Sequence, residues 1–169
     1  MNTDDKIKRQ QIKEYLEAVV AATETPPQRA DWTYRRYEEL VLRCGFPMQW
    51  KPLPETIEPS IPQFCYWNCQ KLALANNSLT YAEGYALHPD VGFPIAHAWL
   101  LDSDGGAIDP TWNSEASYFG ILLSTKWVQS VVAARNRFDN LSILDGNYLE
   151  GFSLLKEGLP SGSLAQLLR

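Results

Sequence analysis

Three residues in the middle of the chain carry the side chains that a nucleophilic cysteine enzyme uses. Cys65 begins the stretch C-Y-W-N-C-Q, His97 lies in the apolar run P-I-A-H-A-W-L-L, and Asp109 follows a glycine-rich turn. In such enzymes a thiolate attacks a carbonyl carbon, a histidine moves the proton, and an aspartate fixes the tautomer and orientation of the imidazole. The chain has only two histidines, so there are few candidates for the base. We therefore predict that these three residues are catalytic.

The position of Cys65 at the start of a predicted helix favours it over the other thiols. A helix N-terminus stabilises a thiolate through its dipole. Cys69 lies one turn later and is the competing nucleophile, whereas Cys44 falls on the apolar stripe of an earlier helix and is expected to be buried. Since free cysteine is among the most buried residue types, an inert core thiol is the alternative interpretation of Cys65.

Side-chain amides and aromatic rings near these residues are candidates for binding substrate. Gln63 and Asn68 flank Cys65 and could donate to an oxyanion together with the backbone N–H of Cys65, or they could simply cap the helix. His97 and Asp109 have structural alternatives too, as a hydrogen-bonded core histidine and a turn residue. Three tryptophans either line a cleft or fill the core: Trp67, Trp99 and Trp112.

The loop between the two strands decides whether His97 and Asp109 share a face of the sheet. Side chains alternate along each strand, so a loop with an odd number of residues puts both on the same face. Loops of three residues (102–104) or five residues (101–105) satisfy this condition. A two-residue turn at 104–105 would separate them unless a bulge restored the parity.

Hydrophobic periodicity predicts the elements that position these residues. Helices are predicted over 5–22, from Asp31 to about Cys44, from Cys65 to about Asn76, and after Ser124, with a last short helix ending near 158–160. Strands are predicted over 80–87, 95–101, 107–112 and 118–123, with Gly84 marking a bulge or a close approach. Segment 45–62 contains five prolines and is predicted to be a stiff wrap that holds the start of the Cys65 helix.

The 169 residues are most simply one domain. Its predicted parts are a helical region at 5–44, the wrap at 45–62, a Cys/His/Asp core at 63–123 and C-terminal helices at 124–169. The net charge of −5 and the scattered basic residues argue against a nucleic-acid partner. No apolar run approaches the ~20 residues that cross a bilayer, and the N-terminus is polar, so neither a membrane span nor a secretory signal is predicted.

The number and spacing of the cysteines indicate the cellular compartment and whether a metal site is expected. Three cysteines form an odd set, and the Cys65–Cys69 spacing has three residues between the thiols instead of the two typical of redox and zinc sites. We expect reduced thiols in the cytoplasm, with no disulfide framework and no metal site.

The order Cys, His, Asp, with His97-Ala98-Trp99 on one strand and Asp109-Pro110-Thr111-Trp112 on the next, resembles the transglutaminase-like and papain-like superfamily of cysteine hydrolases and acyltransferases. The resemblance covers about residues 60–120. It implies an α+β fold in which N-terminal helices and a nucleophile helix pack on a small antiparallel sheet. It also implies a thioester intermediate, with Cys65 as nucleophile, His97 as base and Asp109 as orienting residue. The second cysteine, Cys69, departs from the family's pattern after the nucleophile.

Two functional classes are compatible with these features. The first is a cofactor-independent hydrolase or acyltransferase acting on an amide bond of a protein or peptide. Water as the second nucleophile gives proteolysis or glutamine deamidation, and an amine gives cross-linking. The second is a non-catalytic interaction or inhibitor protein on the same scaffold, with a purely structural His–Asp pair as a weaker third possibility. Members of this superfamily that are small and acidic and have no leader sequence include bacterial and phage proteins.

Overall fold

A five-stranded antiparallel sheet with helices packed against it forms an α+β fold in the computed structural model of the protein. The structure describes residues 3–22, 24, 26–136 and 139–166, with side chains from residue 10 onward. The helices are α1 (Thr3–Ala22), α2 (Tyr37–Cys44), α3 (Cys65–Ala75), α4 (Thr125–Arg135) and α5 (Ser153–Glu157). The strands are β1 (Phe46–Met48), β2 (Thr80–Leu87), β3 (Ile95–Leu101), β4 (Ala107–Ile108) and β5 (Ser117–Leu123). The strand order is β1-β5-β2-β3-β4, so β2 is central.

The two faces of the sheet have different partners. One face packs against α1, α2 and α3 in a large apolar cluster that contains Cys65, Cys69 and Leu100. The other face carries a smaller cluster built around Trp99 and Tyr118. Alternation along the strands produces this division, because successive side chains point to opposite faces. The helix-bearing face thus holds the start of α3 against the sheet.

Gly84 allows the central strands to lie close together next to His97. It is paired with His97 on β3 and with Gly120 on β5. A Cβ at position 84 would stand 2.3 Å from the Phe119 carbonyl oxygen and 2.4 Å from the Gly120 Cα, so no larger residue fits without moving backbone. Of the two roles predicted for this glycine, the close approach is the one observed, and β2 continues through it in regular register.

The second helix begins later than predicted. It starts at Tyr37 instead of Asp31, because residues 31–36 form turns against the C-terminal part of the chain. The backbone N–H groups of Thr33 and Tyr34 donate to the carbonyls of Lys156 and Leu155, at 3.2 and 2.9 Å. These long-range bonds occupy donors that a longer helix would have used.

Two further differences lie on either side of the site. The wrap 45–62 contains the short strand β1, whose Pro47 is exposed on an edge of the sheet, where a missing N–H is tolerated. The strand predicted over 107–112 ends at Ile108. It ends there because the Asp109 carboxylate accepts hydrogen bonds from the next backbone N–H groups and turns the chain. This turn fixes the direction of the Asp109 side chain.

Candidate active site

Cys65 is the first residue of α3 and is 8% exposed. Phe64 precedes it as the N-cap residue and makes no side-chain capping hydrogen bond. The wrap is anchored just upstream, where the backbone N–H of Ser60 donates to the Pro110 carbonyl at 2.7 Å. The thiol therefore sits at the positive end of a helix dipole, on a segment tied to the turn that carries Asp109.

His97 lies between Cys65 and Asp109. Its Nε2 is 2.7 Å from Asp109 Oδ2, and both side chains are almost fully buried. The Cys65 thiol is a second hydrogen-bond partner of the ring. Since Nε2 is occupied by the carboxylate, Nδ1 is the nitrogen available to the sulfur. The structure thus brings the three residues predicted from the sequence into one chain of contacts.

The pairing between β3 and β4 determines which face of the sheet His97 and Asp109 share. Strands β3 and β4 pair only at Leu100–Ile108 and Leu101–Ala107, so the loop between them has five residues, 102–106. This odd number keeps positions 97 and 109 on one face, as the parity argument requires, although the loop lies one residue later than the five-residue alternative considered. Among the described residues, β4 pairs with β3 only at positions 100 and 101, and Cys65 at the start of α3 is a hydrogen-bond partner of the His97 ring.

Four donors converge on the Asp109 carboxylate. Oδ2 accepts from His97 Nε2 and from the Tyr118 hydroxyl, the latter at 3.1 Å. Oδ1 accepts from the backbone N–H groups of Thr111 and Trp112 at 2.8 and 3.1 Å. With every lone-pair direction used, the carboxylate has one orientation and stays the acceptor for the imidazole N–H.

The charge state of His97 follows from these neighbours. Burial lowers the pKa of His97, but hydrogen bonds to Asp109 and Cys65, together with their negative charges, outweigh burial and raise the pKa to about 9. With a pKa of about 9 the ring carries its second proton at neutral pH, so a positive charge lies beside the sulfur. A thiolate–imidazolium pair is the reactive state of cysteine nucleophiles.

Trp112 holds the imidazole ring from one side. The two rings stack at 3.8 Å between centroids with 12° between their planes. His88 contacts Trp112 edge-on at 5.1 Å, and its Nε2 is 2.7 Å from the Ser114 hydroxyl. These contacts leave His88 half-buried. Among the candidate tryptophans, Trp112 therefore contacts His97 directly.

Cys69 is unsuited to act as the nucleophile. It is fully buried, and its thiol donates to the Ala98 carbonyl at 3.4 Å. Burial, followed by the charge of Asp109, raises the pKa of Cys69 well above its usual value. A buried thiol of this kind stays protonated and inert. Cys44 is half-buried with its sulfur 3.1 Å from the Tyr34 hydroxyl, so Cys65 is the thiol placed for chemistry.

The other candidates for the substrate site are arranged differently. Both amide hydrogens of Asn68 are used, on the Ile61 carbonyl and the Thr111 hydroxyl at 2.7 and 2.9 Å. Asn68 thus ties the wrap to the Asp109 turn and is not free to donate to an oxyanion. Trp99 is fully buried, with its Nε1 on the Met48 sulfur at 3.1 Å.

Gln63 and Trp67 remain near the start of α3. Gln63 is exposed and has a left-handed backbone, with φ 68°, which is uncommon outside glycine and often found at functional sites. Trp67 is half-buried with the Lys71 ammonium 4.8 Å from its ring. Asn140 fixes this region by donating to the Gln63 carbonyl at 3.0 Å and accepting from the Trp67 N–H at 3.2 Å.

Sequence reasoning missed Glu83, a buried acid beside the site. Its carboxylate accepts from the hydroxyls of Tyr81 and Ser142 and from the backbone N–H groups of Ile143 and Leu144. Burial, the largest effect, raises the pKa of Glu83, while these hydrogen bonds oppose the shift. A charged residue inside the apolar strand Y-A-E-G-Y-A-L was the available signal, since a buried acid must find partners. Nothing in the sequence around Asn140 indicated that its side chain would bond to residues near Cys65.

Neither a metal-binding cluster nor a membrane-spanning helix is found in the part of the chain that the structure describes. No three His, Cys, Asp or Glu side chains there are grouped to hold a metal ion. No described helix combines the length and the apolar character needed to cross a bilayer. Comparison with known proteins gives no identification either: no family model, no curated protein and no solved structure matches this chain.

Proposed function

We propose that this protein is a cysteine-dependent hydrolase or acyltransferase that acts on an amide bond of a protein or peptide. The observation that carries the proposal is the placement of His97 between the Cys65 thiol and the Asp109 carboxylate. Nucleophile, base and orienting acid in contact are the arrangement that acyl transfer through cysteine requires. The likeness of the Cys…HAW…DPTW pattern to the transglutaminase-like and papain-like superfamily agrees with this proposal.

In the proposed reaction, the Cys65 thiolate attacks the amide carbon and a carbon–sulfur bond forms. The His97 imidazolium then gives its Nδ1 proton to the amide nitrogen as the carbon–nitrogen bond breaks, which releases an amine and leaves a thioester on Cys65. Neutral His97 next takes a proton from water, or from an amine, as that molecule attacks the thioester. The carbon–sulfur bond then breaks and releases a carboxylic acid or a new amide. The proton taken from the attacking molecule stays on His97, so the Cys65 thiolate and the His97 imidazolium are both restored.

Asp109 keeps the imidazole oriented through both steps, and Trp112 limits its rotation. The backbone N–H at the start of α3 and the exposed Gln63 amide are the candidates for stabilising the oxyanion. We place the protein in the cytoplasm, where a reducing environment keeps the free Cys65 as a thiol.

The test uses an activated ester, p-nitrophenyl acetate, followed by intact-protein and peptide mass spectrometry. We expect one acetyl group on Cys65, its slow loss in water, and faster loss when an amine such as methylamine is added if the enzyme is a transferase. Cys65→Ala should abolish the adduct, and the matched control Cys69→Ala should retain it. Absence of the adduct from the wild-type protein, or acetylation confined to Cys44, would contradict the proposal and favour the non-catalytic alternative.

A further inference from the structure

A cavity of about 350 Å³ opens next to His97, between the sheet and the helices. His97, Gly84 and Tyr66, the residue after Cys65, form part of its wall, whereas Cys65 itself does not line it. The volume lies at the lower end of the range for small-molecule pockets and suits one long side chain. The cavity therefore adjoins the base of the proposed site and not the sulfur.

The walls of this cavity are rich in tyrosine. Tyr37, Tyr66 and Tyr85 all line it, and aromatic faces attract cations. The Tyr37 hydroxyl is shielded from solvent and has no hydrogen-bond partner among the described residues. This hydroxyl is therefore available to form a hydrogen bond with a polar group that enters the cavity.

Three carboxylates also line the cavity: Glu38, Glu83 and Asp145. The Glu83 carboxylate already accepts hydrogen bonds from the protein, so the other two are the candidates for a ligand. Glu38 Oε1 accepts from the Tyr85 hydroxyl at 3.1 Å. Asp145 is exposed, and its carboxylate has no hydrogen bond or ion pair to any residue that the structure describes. Burial, and then the negative charge of Glu38, raises the pKa of Asp145, as expected when two acids are close together.

The two arginines of the cavity are engaged by the protein itself. The Arg29 guanidinium donates to the Arg35 carbonyl at 3.0 Å and lies 4.9 Å from the Trp32 ring and 5.1 Å from the Phe152 ring. Arg36 has contacts of its own. The Arg29 guanidinium thus already has one carbonyl and two aromatic rings as partners.

We infer that this cavity binds the side chain of a lysine or arginine on the leaving-group side of the scissile amide. The inference rests on the proposed function, in which His97 protonates the departing nitrogen. The cavity lies next to the proposed site, because His97 and the residue after Cys65, Tyr66, are both part of its wall. The alkyl part of its side chain packs on the tyrosine rings, and its cationic end meets Asp145 and Glu38.

The test measures binding without turnover, in the Cys65→Ala variant by isothermal titration calorimetry. Three ligands are compared: acetyl-glycyl-arginine amide, its citrulline counterpart, which has nearly the same shape but no charge, and its glutamate counterpart, which carries the opposite charge. We expect the arginine ligand to bind at least about tenfold more tightly than the citrulline ligand, as a charge-assisted contact allows. In Cys65→Ala/Asp145→Asn the preference should fall below about threefold, and in the control Cys65→Ala/Glu157→Gln, altered at an exposed acid outside the cavity, it should persist.

Equal binding of the arginine and citrulline ligands would overturn the inference, as would no binding of either or a preference that survives Asp145→Asn. Tighter binding of the glutamate counterpart would overturn it as well and would assign recognition to the two arginines. These results are distinct from failure of the proposed function, which appears as the lack of a Cys65 acetyl adduct in the wild-type protein.

Discussion

Replacing Asp109 with asparagine lowers the rate at which p-nitrophenyl acetate acylates Cys65 by at least about a hundredfold. The Oδ1 position of Asp109 accepts two backbone N–H groups, so the asparagine oxygen must stay there. The amide nitrogen then faces His97 Nε2 and donates to it, which moves the ring proton to Nδ1. An imidazole in that tautomer cannot take the thiol proton, and loss of the full negative charge also destabilises the imidazolium.

Tyr118→Phe is the matched control for this variant. It removes one hydrogen bond from the same carboxylate oxygen, at 3.1 Å, but leaves the acceptor for His97 unchanged. We expect its acylation rate to stay within about tenfold of the wild-type rate, in line with a net loss of about 1 kcal/mol for one hydrogen bond. Thermal unfolding of both variants checks that each is folded. An Asp109→Asn protein that acylates as fast as Tyr118→Phe would show that Asp109 is only structural.

Replacing Glu83 with alanine is expected to destabilise the protein by about 3–5 kcal/mol. Glu83 is 2% exposed, and its carboxylate is the common acceptor for the segment 142–144. Truncation leaves backbone N–H groups and the Tyr81 and Ser142 hydroxyls without this acceptor, and it opens a void in the sheet. Urea denaturation monitored by tryptophan fluorescence measures the change in the free energy of unfolding.

Glu83→Gln separates the loss of charge from the loss of the whole side chain. Glutamine retains the volume and one acceptor oxygen, so about half of the alanine effect is expected. Ser142 and Leu144 also line the cavity next to His97, so Glu83 connects the stability of the sheet to the shape of that cavity. A destabilisation below about 1 kcal/mol for Glu83→Ala would contradict the role assigned to this carboxylate.

Elements whose structure depends on local pattern could be predicted from the sequence. Strands 80–87 and 95–101 match their predicted bounds, because apolar β-branched and aromatic runs there are bounded by turn residues. The helix that starts at Cys65 also begins where predicted, after a proline-rich segment. The sequence left open whether positions 97 and 109 share a face. The observed loop, 102–106, differs from each loop considered but has the odd number of residues that a shared face requires.

Features that depend on distant partners could not be predicted. Helix α2 starts six residues late because donors at 33 and 34 bond to residues more than 120 positions away. Glu83 is satisfied by residues about 60 positions away, and Asn140 reaches the start of α3 across more than 70. Such pairings depend on how helices and strands pack, which hydrophobic periodicity does not specify.

The same distinction applies to the candidate site. The residue types at 65, 97 and 109 suggested the chemistry, but their mutual contact is a tertiary property. Asn68 was a candidate oxyanion donor by its position three residues after Cys65, and the fold uses both of its amide hydrogens elsewhere. The position of Asn68 in the sequence therefore predicted that it lies near the site, but not which groups its side chain binds.

The rate of iodoacetamide labelling, measured for each cysteine between pH 6.5 and 9, tests the central claim most directly. His97 keeps its proton up to its pKa of about 9, and this positive charge beside the sulfur should make Cys65 react faster than Cys44 and Cys69. At pH 7 Cys65 of the wild-type protein should react at least about tenfold faster than Cys65 of His97→Gln, which lacks the neighbouring cation. Equally slow labelling of Cys44, Cys65 and Cys69 in the wild-type protein, or an unchanged Cys65 rate in His97→Gln, would contradict a working thiolate–imidazolium pair.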